Sequence, residues 1–330
     1  MNKKILFLAH PQVSHAHDTF YNGCTKLFGE NNVYDFPSSE KFHTTHKNNH
    51  SYAWWCYTEN KNSSSLPLDQ WMNMVNNGEI QYLIGNNRSI DIFIQALSLL
   101  ENRACNVIFI EEEGDPGFEV HRRCLEQLRP YYNKIDIHYK MDYIASRVGA
   151  YDKIYPFYMS GPVDKLMNEV KTLKPFDERK YDVCYMAGAS HPNRKMYYDV
   201  LSTLKQGNNI ILYGNHTRSL NEYFNVINDS KIFISVRGNE WSNTRNIEGP
   251  ILGAALFTEQ LEIAIPFDYI DGETAIFFNK TNLLPRLSEY LNDQEKLKNL
   301  AKESHEYAMQ HHTRTARAQQ MVDLITQIKK

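Results

Sequence analysis

Short apolar runs alternate with stretches of helical spacing along most of this 330-residue chain. Runs at 5–9, 33–36, 106–110, 135–139 and 153–158 have the length and β-branched content of buried strands, and 80–84 and 92–94 are apolar as well. Residues 17–28 and 119–128 have helical spacing. Residues 37–66 turn polar and rich in Asn, Ser and His, which predicts a long loop or insertion. Ser160-Gly161-Pro162 and Lys174-Pro175-Phe176-Asp177 then flank a charged, helix-like segment at 163–173, and a domain boundary is placed there. Beyond it the alternation is cleaner. Strands are expected at 183–187, 209–213, 232–236, 255–258 and 275–278, with helices at 194–204, 220–227, 244–252 and from 282 to the end. Strand–turn–helix units of this length predict α/β domains built on parallel sheets, in which ligands bind beyond the carboxyl ends of the strands. The expected division is 1–160, a linker at 161–180, a second domain at 181–312 and a terminal helix at 313–330.

Composition narrows the classes. Apolar residues make up 42% and charged residues 23%, enough for two ordinary cores. A net charge of −3 argues against binding nucleic acid through bulk charge. Cys24, Cys56, Cys105, Cys124 and Cys184 are scattered, odd in number and without a C-x-x-C pair, which fits a reducing cytoplasm. The apolar run after MNKK is too short for a signal peptide, and no stretch approaches the length of a membrane span. A cytoplasmic protein is expected, with peripheral membrane contact left open. There is no Walker loop, G-x-G-x-x-G or strict D-x-D.

The chemistry concentrates in Arg237-Gly238-Asn239-Glu240-Trp241-Ser242-Asn243-Thr244-Arg245-Asn246-Ile247-Glu248-Gly249-Pro250-Ile251-Leu252-Gly253-Ala254-Ala255-Leu256-Phe257. This stretch leaves a strand, enters a helix and exits through glycine into another strand. Glu240 falls in the loop and Glu248 eight positions later, within the helix, so both can face one crevice. Arg245 stands three positions before Glu248, where a solvated surface ion pair is the plain alternative.

These residues resemble the E-x7-E element of group 1 glycosyltransferases with the GT-B fold, especially the spore-maturation-protein-like branch with its N-T-R…E…G-A-L-F run. The flanks agree: Tyr181 to Gly188 with Arg194 just beyond, Leu220 to Ile234, and His312-Thr313 with Arg317. The likeness covers about 181–317. It implies two Rossmann-like domains facing across a cleft, with a nucleotide sugar as donor substrate and neither cofactor nor metal. It also implies a retaining transfer and a terminal helix that crosses back to the first domain. By this resemblance Glu248 takes the donor ribose and Glu240 the donor sugar, while Arg194, Lys195 and Arg245 stabilise the leaving diphosphate together with helix amino termini. Gly188 and Gly238 would let backbone approach phosphate, and Asn243 and Thr244 complete the donor side. The bulky Trp241-Ser242-Asn243 departs from the Gly-rich loop usual at this point.

Other candidates lie in the first half. His10, His15 and His17 follow the first strand on the expected acceptor side, where one could act as a base; they are equally ordinary loop histidines. Asp115 sits in the acidic turn Glu111–Asp115, a candidate for acceptor binding or a solvated turn. His43, His46 and His50 have a spacing a metal can use, though they sit in a polar loop without partners. Trp54-Trp55 with Tyr52 and Tyr57 read as core aromatics or a stacking surface. The acceptor is open: a glycan, a protein, a small molecule or modified DNA. Two alternatives stand beside the main reading, a phage-type transferase acting on modified DNA bases and a non-catalytic sugar- or nucleotide-binding protein.

Overall fold

The computed structural model describes residues 3–43, 60, 65–101, 104–112, 118–148, 152–188, 190–205, 210–213 and 219–330. The chain forms two compact units: Met1–Met159 with Ile263–Pro266 and Arg314–Lys330, and Ser160–Glu262 with Phe267–Thr313.

The first unit is built on a six-stranded parallel sheet in the order β2-β1-β3-β4-β5-β6. Its strands are β1 (Ile5–Leu8), β2 (Val33–Phe36), β3 (Tyr82–Asn86), β4 (Asn106–Glu111), β5 (Ile137–Lys140) and β6 (Ile154–Pro156). Every residue of β1, β3, β4 and β5 is buried. A parallel strand covered on both faces is expected to be apolar throughout, which is why these runs were legible. The helices are α1 (His15–Phe28), α2 (Leu68–Asn76), α3 (Ile90–Leu99), α4 (Glu119–Leu128) and the short α5 (Ala145–Val148). The apolar run at 92–94 belongs to α3, whose Phe93, Ala96 and Leu97 face the core. α2 has no counterpart in the sequence reading; Trp71, Met72 and Val75 form its buried face. The final helix, α12 (Arg314–Ile328), packs on α1. A Cβ at Gly23 would collide with the main-chain carbonyl of Arg314, so this crossing requires glycine.

The second unit runs α6 (Val163–Val170), β7 (Tyr181–Met186), α7 (Pro192–Ser202), β8 (Ile210–Tyr213), α8 (Leu220–Asn228), β9 (Ser230–Ser235), α9 (Arg245–Ile251), β10 (Ala255–Glu259), β11 (Ile276–Phe278), α10 (Leu283–Leu291) and α11 (Gln294–His311). Its five strands are parallel in the order β11-β10-β9-β7-β8. α6 packs on α8, and Arg179 donates to the carbonyls of Ser230 and Leu252, which ties 160–180 into this unit. α9 lies close on β9, because a Cβ at Gly249 would run into the Phe233 ring. Gly253, with φ +78°, carries the chain out of α9 through the left-handed region that favours glycine.

Both sheets have a doubly wound order with a switch point, between β1 and β3 in the first unit and between β7 and β9 in the second. Open α/β sheets bind ligands at such points, beyond the carboxyl ends of the strands.

Candidate functional site

At the switch point of the second unit, the loop after β7 supplies Gly188, Ser190 and His191, and the loop after β9 begins at Arg237. A Cβ on Gly188 would meet nothing within 4 Å, so its backbone borders open space. Arg194, buried on α7, joins the two loops. Its Nη1 donates to the Gly188 carbonyl (3.2 Å) and to Ser190 Oγ (2.6 Å), and its Nε to the Arg237 carbonyl (3.0 Å). A Cβ on Gly238 would come within 2.9 Å of Arg194 Nη2. Glycine at this position keeps the guanidinium in place.

The start of α7 is closed. Pro192 has no N–H, His191 Nδ1 accepts from the Asn193 amide (3.2 Å), and the Arg194 amide donates to the His191 carbonyl (3.0 Å). The expectation that amides at this helix start meet a diphosphate is therefore corrected: the protein satisfies them itself. Lys195 pairs with Asp199 one turn on, with 78% of its side chain exposed.

Glu248 is 1% exposed, which corrects the solvated surface pair. It lies in the first turn of α9, and the Tyr223 hydroxyl on α8 donates to its Oε2 at 2.6 Å. Burial raises its carboxyl above the ordinary range, opposed by the Tyr223 hydroxyl, the charge of Arg245 and the Thr244 hydroxyl. Thr244 is the N-cap residue of α9. Asn243 is a buried brace: its Nδ2 donates to Ser235 Oγ and the Val236 carbonyl, and its Oδ1 accepts from the Arg245 amide. Glu240 lies exposed in the loop between β9 and α9, so the two glutamates occupy opposite environments. Sequence reasoning missed Glu259, at the end of β10. Its Oε1 accepts from Asn193 Nδ2 (2.9 Å) and its Oε2 from the Arg237 amide (3.2 Å). The rule that sites follow strand ends would have found it. Tyr223 carries no comparable signal.

In the first unit, the loops after β1, β3 and β4 converge on an internal charge network. Glu112 accepts from the Ser14 hydroxyl and from the His17 amide at the start of α1 (3.2 Å), and pairs with Arg88 Nε at 2.8 Å. Asp18 accepts the Ser14 amide and pairs with Lys41 Nζ, each at 2.8 Å. His10 accepts from the Gln12 amide, and His15 is exposed in the first turn of α1. His17 is fully buried, edge-on to Phe7 at 5.1 Å. Asp115 lies outside the described residues, as do His46, His50, Trp54, Trp55, Tyr52 and Tyr57. His43 is bonded to Asp35 Oδ1 (2.8 Å) and the Asn60 carbonyl (2.7 Å).

Glu111 at the end of β4 gathers His121 Nδ1 (2.7 Å), His138 Nε2 (3.2 Å) and Lys140 Nζ (2.9 Å), all buried. A carboxylate and two imidazoles this close have the donor set of a metal site. Lys140 already balances the carboxylate, however. Burial raises the Glu111 carboxyl, but the bonds from His121 and His138 and the Lys140 charge outweigh it and hold the group well below the usual range. Burial likewise keeps His138 below its ordinary value, hence neutral. Glu111 and Lys140 form an internal ion pair, and a divalent cation there would add buried positive charge beside Lys140.

Residues 184–323 match the family described as glycosyl transferase-like. No curated protein matches the chain. The fold as a whole is similar to that of an alpha-glucosyltransferase solved with UDP and a 13-mer DNA containing a HMU base, at 12% identity and TM-score 0.59 over 98% of this chain and 99% of that one. It is similar to the Anabaena protein HepE in complex with UDP, at 10% identity and TM-score 0.57 over 98% of this chain and 100% of that one. A glycosyltransferase from Rickettsia africae matches at 12% identity and TM-score 0.57 over the full length of both chains. The chain has the α/β fold of GT-B glycosyltransferases, with two Rossmann-like units, and its second half carries the glycosyl transferase-like signature. Among the described residues no helix is long and apolar enough to cross a membrane.

Proposed function

We propose that this protein is a glycosyltransferase that moves a sugar from a nucleotide diphosphate donor to an acceptor hydroxyl. The bond from the anomeric carbon to the diphosphate breaks, the bond to the acceptor oxygen forms, the acceptor loses its proton, and the nucleotide diphosphate leaves. The observation that carries the reading is the switch point of the second sheet: open backbone at Gly188, loops joined by Arg194, and Glu248 buried one element away. Glu248 accepts the donor ribose, whose hydroxyls take the place of the Tyr223 hydroxyl. Glu240, exposed in its loop, meets the sugar. Arg245 at the start of α9 favours the negative charge that builds on the leaving group. Transfer is retaining and metal-independent, and it takes place in a reducing cytoplasm, which buried thiols such as those of Cys24 and Cys184 suit. The run Asn243-Thr244-Arg245, Glu248 and Gly253-Ala254-Ala255-Leu256-Phe257, similar to that of the spore-maturation-protein-like branch, supports that branch.

UDP is the ligand of two similar structures and the first probe. Calorimetry should show UDP binding that EDTA leaves unchanged, and UDP-glucose should be turned over to UDP. Glu248→Ala should weaken UDP about tenfold or more, equivalent to about 1.4 kcal/mol. Tyr223→Phe should bind no more weakly than wild type, because the ribose displaces that hydroxyl. Glu248→Ala binding UDP as tightly as wild type would sink the ribose assignment.

A further inference from the structure

The donor reading needs cations for a diphosphate, and those singled out by sequence are largely committed. Arg194 is bound to three protein groups and Lys195 to Asp199. The start of α7 offers no amide among its first three positions.

Arg237 has a different situation. It stands directly after β9 at the switch point, and its main chain is held on both sides: its amide donates to Glu259, and its carbonyl accepts from Arg194. Its guanidinium lies over the Trp241 ring, 3.8 Å from the centroid, and its Nε, sealed from water, donates to no acceptor among the described residues. Stacking on an aromatic face holds a guanidinium in position while leaving its charge and in-plane donors for a planar anion. His191 borders the same place. Because its Nδ1 accepts the Asn193 amide, the neutral ring carries its proton on Nε2, as a donor. Burial and the charges of Arg237, Arg194 and Lys280 press His191 below the ordinary imidazole range, against the single carboxylate Glu259. The positive charges of Arg237, Arg194 and Lys280 thus outnumber the carboxylate of Glu259 in their effect on His191, a balance that a bound anion would complete.

We infer that Arg237, stacked on Trp241, and His191 form the anion-binding half of the donor site and take the diphosphate of the nucleotide sugar. The inference rests on the donor reading above. It also gives a purpose to the bulky Trp241 in a loop where small residues are usual. The aromatic face orients a side-chain cation where the closed start of α7 has no backbone donors to offer.

The test is calorimetry on the full chain with UDP, and with inorganic pyrophosphate as a second probe. Arg237→Ala should weaken both ligands about tenfold or more, with an unchanged circular dichroism spectrum. His191→Asn keeps an N-cap acceptor but removes the Nε2 donor, and should weaken UDP about threefold. Trp241→Phe should bind like wild type, and Trp241→Ala more weakly. If Arg237→Ala fails to fold, Arg237→Gln decides in its place. Undiminished UDP binding in the Arg237 variant, alongside weakened binding in Glu248→Ala, overturns this inference and leaves the donor reading intact. If wild type binds pyrophosphate but not UDP, the nucleotide assignment is wrong, and the effect of Arg237→Ala on pyrophosphate still decides the anion site. Wild type binding neither probe overturns both.

Discussion

At the switch point of the first unit the start of α1 is capped by the protein's own carboxylates: Asp18 takes the Ser14 amide, Glu112 takes the His17 amide, and Lys41 and Arg88 neutralise the pair. At the switch point of the second unit, backbone at Gly188 borders open space, and the positive charges of Arg237, Arg194 and Lys280 act on His191 against the one carboxylate of Glu259. The same topology thus serves two electrostatic designs. In the first, Glu112 already fills the place an anion would take at a helix start; in the second, the charge is left for a ligand. A doubly wound sheet marks where a ligand can sit, and the charge balance at that point decides whether an anion is welcome.

The largest effect is expected where the internal pairing is deepest. Glu111→Gln leaves the buried Lys140 without its carboxylate and should cost about 3–5 kcal/mol, read as a fall in thermal midpoint and in the denaturant midpoint. The Glu111 carboxyl is depressed in the folded state, so its contribution is present above the ordinary carboxylate value of 4.5 and is lost as pH falls below it. Wild type and variant should converge in stability in acid; a constant gap down to pH 2 would show that the ion pair is not the source.

Glu112→Ala is the sharper test of the comparison. It should cost about 1–3 kcal/mol, since the Ser14 hydroxyl and His17 amide lose their acceptor. Inorganic phosphate should restore part of that loss, by occupying the vacated place beside Arg88, and leave the first unit of the wild type unaffected. A variant indifferent to phosphate would mean that Glu112 does not stand in for an anion.

Glu248 should act in the opposite sense to Glu111. Its folded carboxyl is raised, so the group favours folding below 4.5, and that advantage is lost as pH rises through the folded value. Glu248→Gln, which keeps an oxygen for Tyr223, should therefore melt a few degrees above wild type at pH 7.5, with the gain shrinking towards pH 5. Lower melting temperatures for the variant at both values would refute this. The smallest change in stability is expected at Gly188→Ala, whose methyl meets no protein atom. Its melting temperature should match wild type while UDP binding weakens; unimpaired binding would place the ligand elsewhere.

Strands such as β1, β4 and β9 were legible because parallel strands covered on both faces have apolar cores, here 5–8, 107–110 and 232–234. The position of Glu248 in the helix after β9 was legible for a similar reason, since helical spacing acts locally. α2 was not, because a short amphipathic helix bordered by a polar stretch gives a weak periodic signal. What tertiary structure alone decided is which of the candidate charges are spent. Glu248 lost its water to packing and gained Tyr223 from 25 residues away; Arg194 was committed to a carbonyl 43 residues on; Glu259, itself overlooked, fixes Asn193 across 66 residues. Spacing along a helix tells which side chains share a face. It cannot tell what another element lays over that face, and for a charged group the covering partner sets its desolvation, its proton affinity and its availability to a ligand.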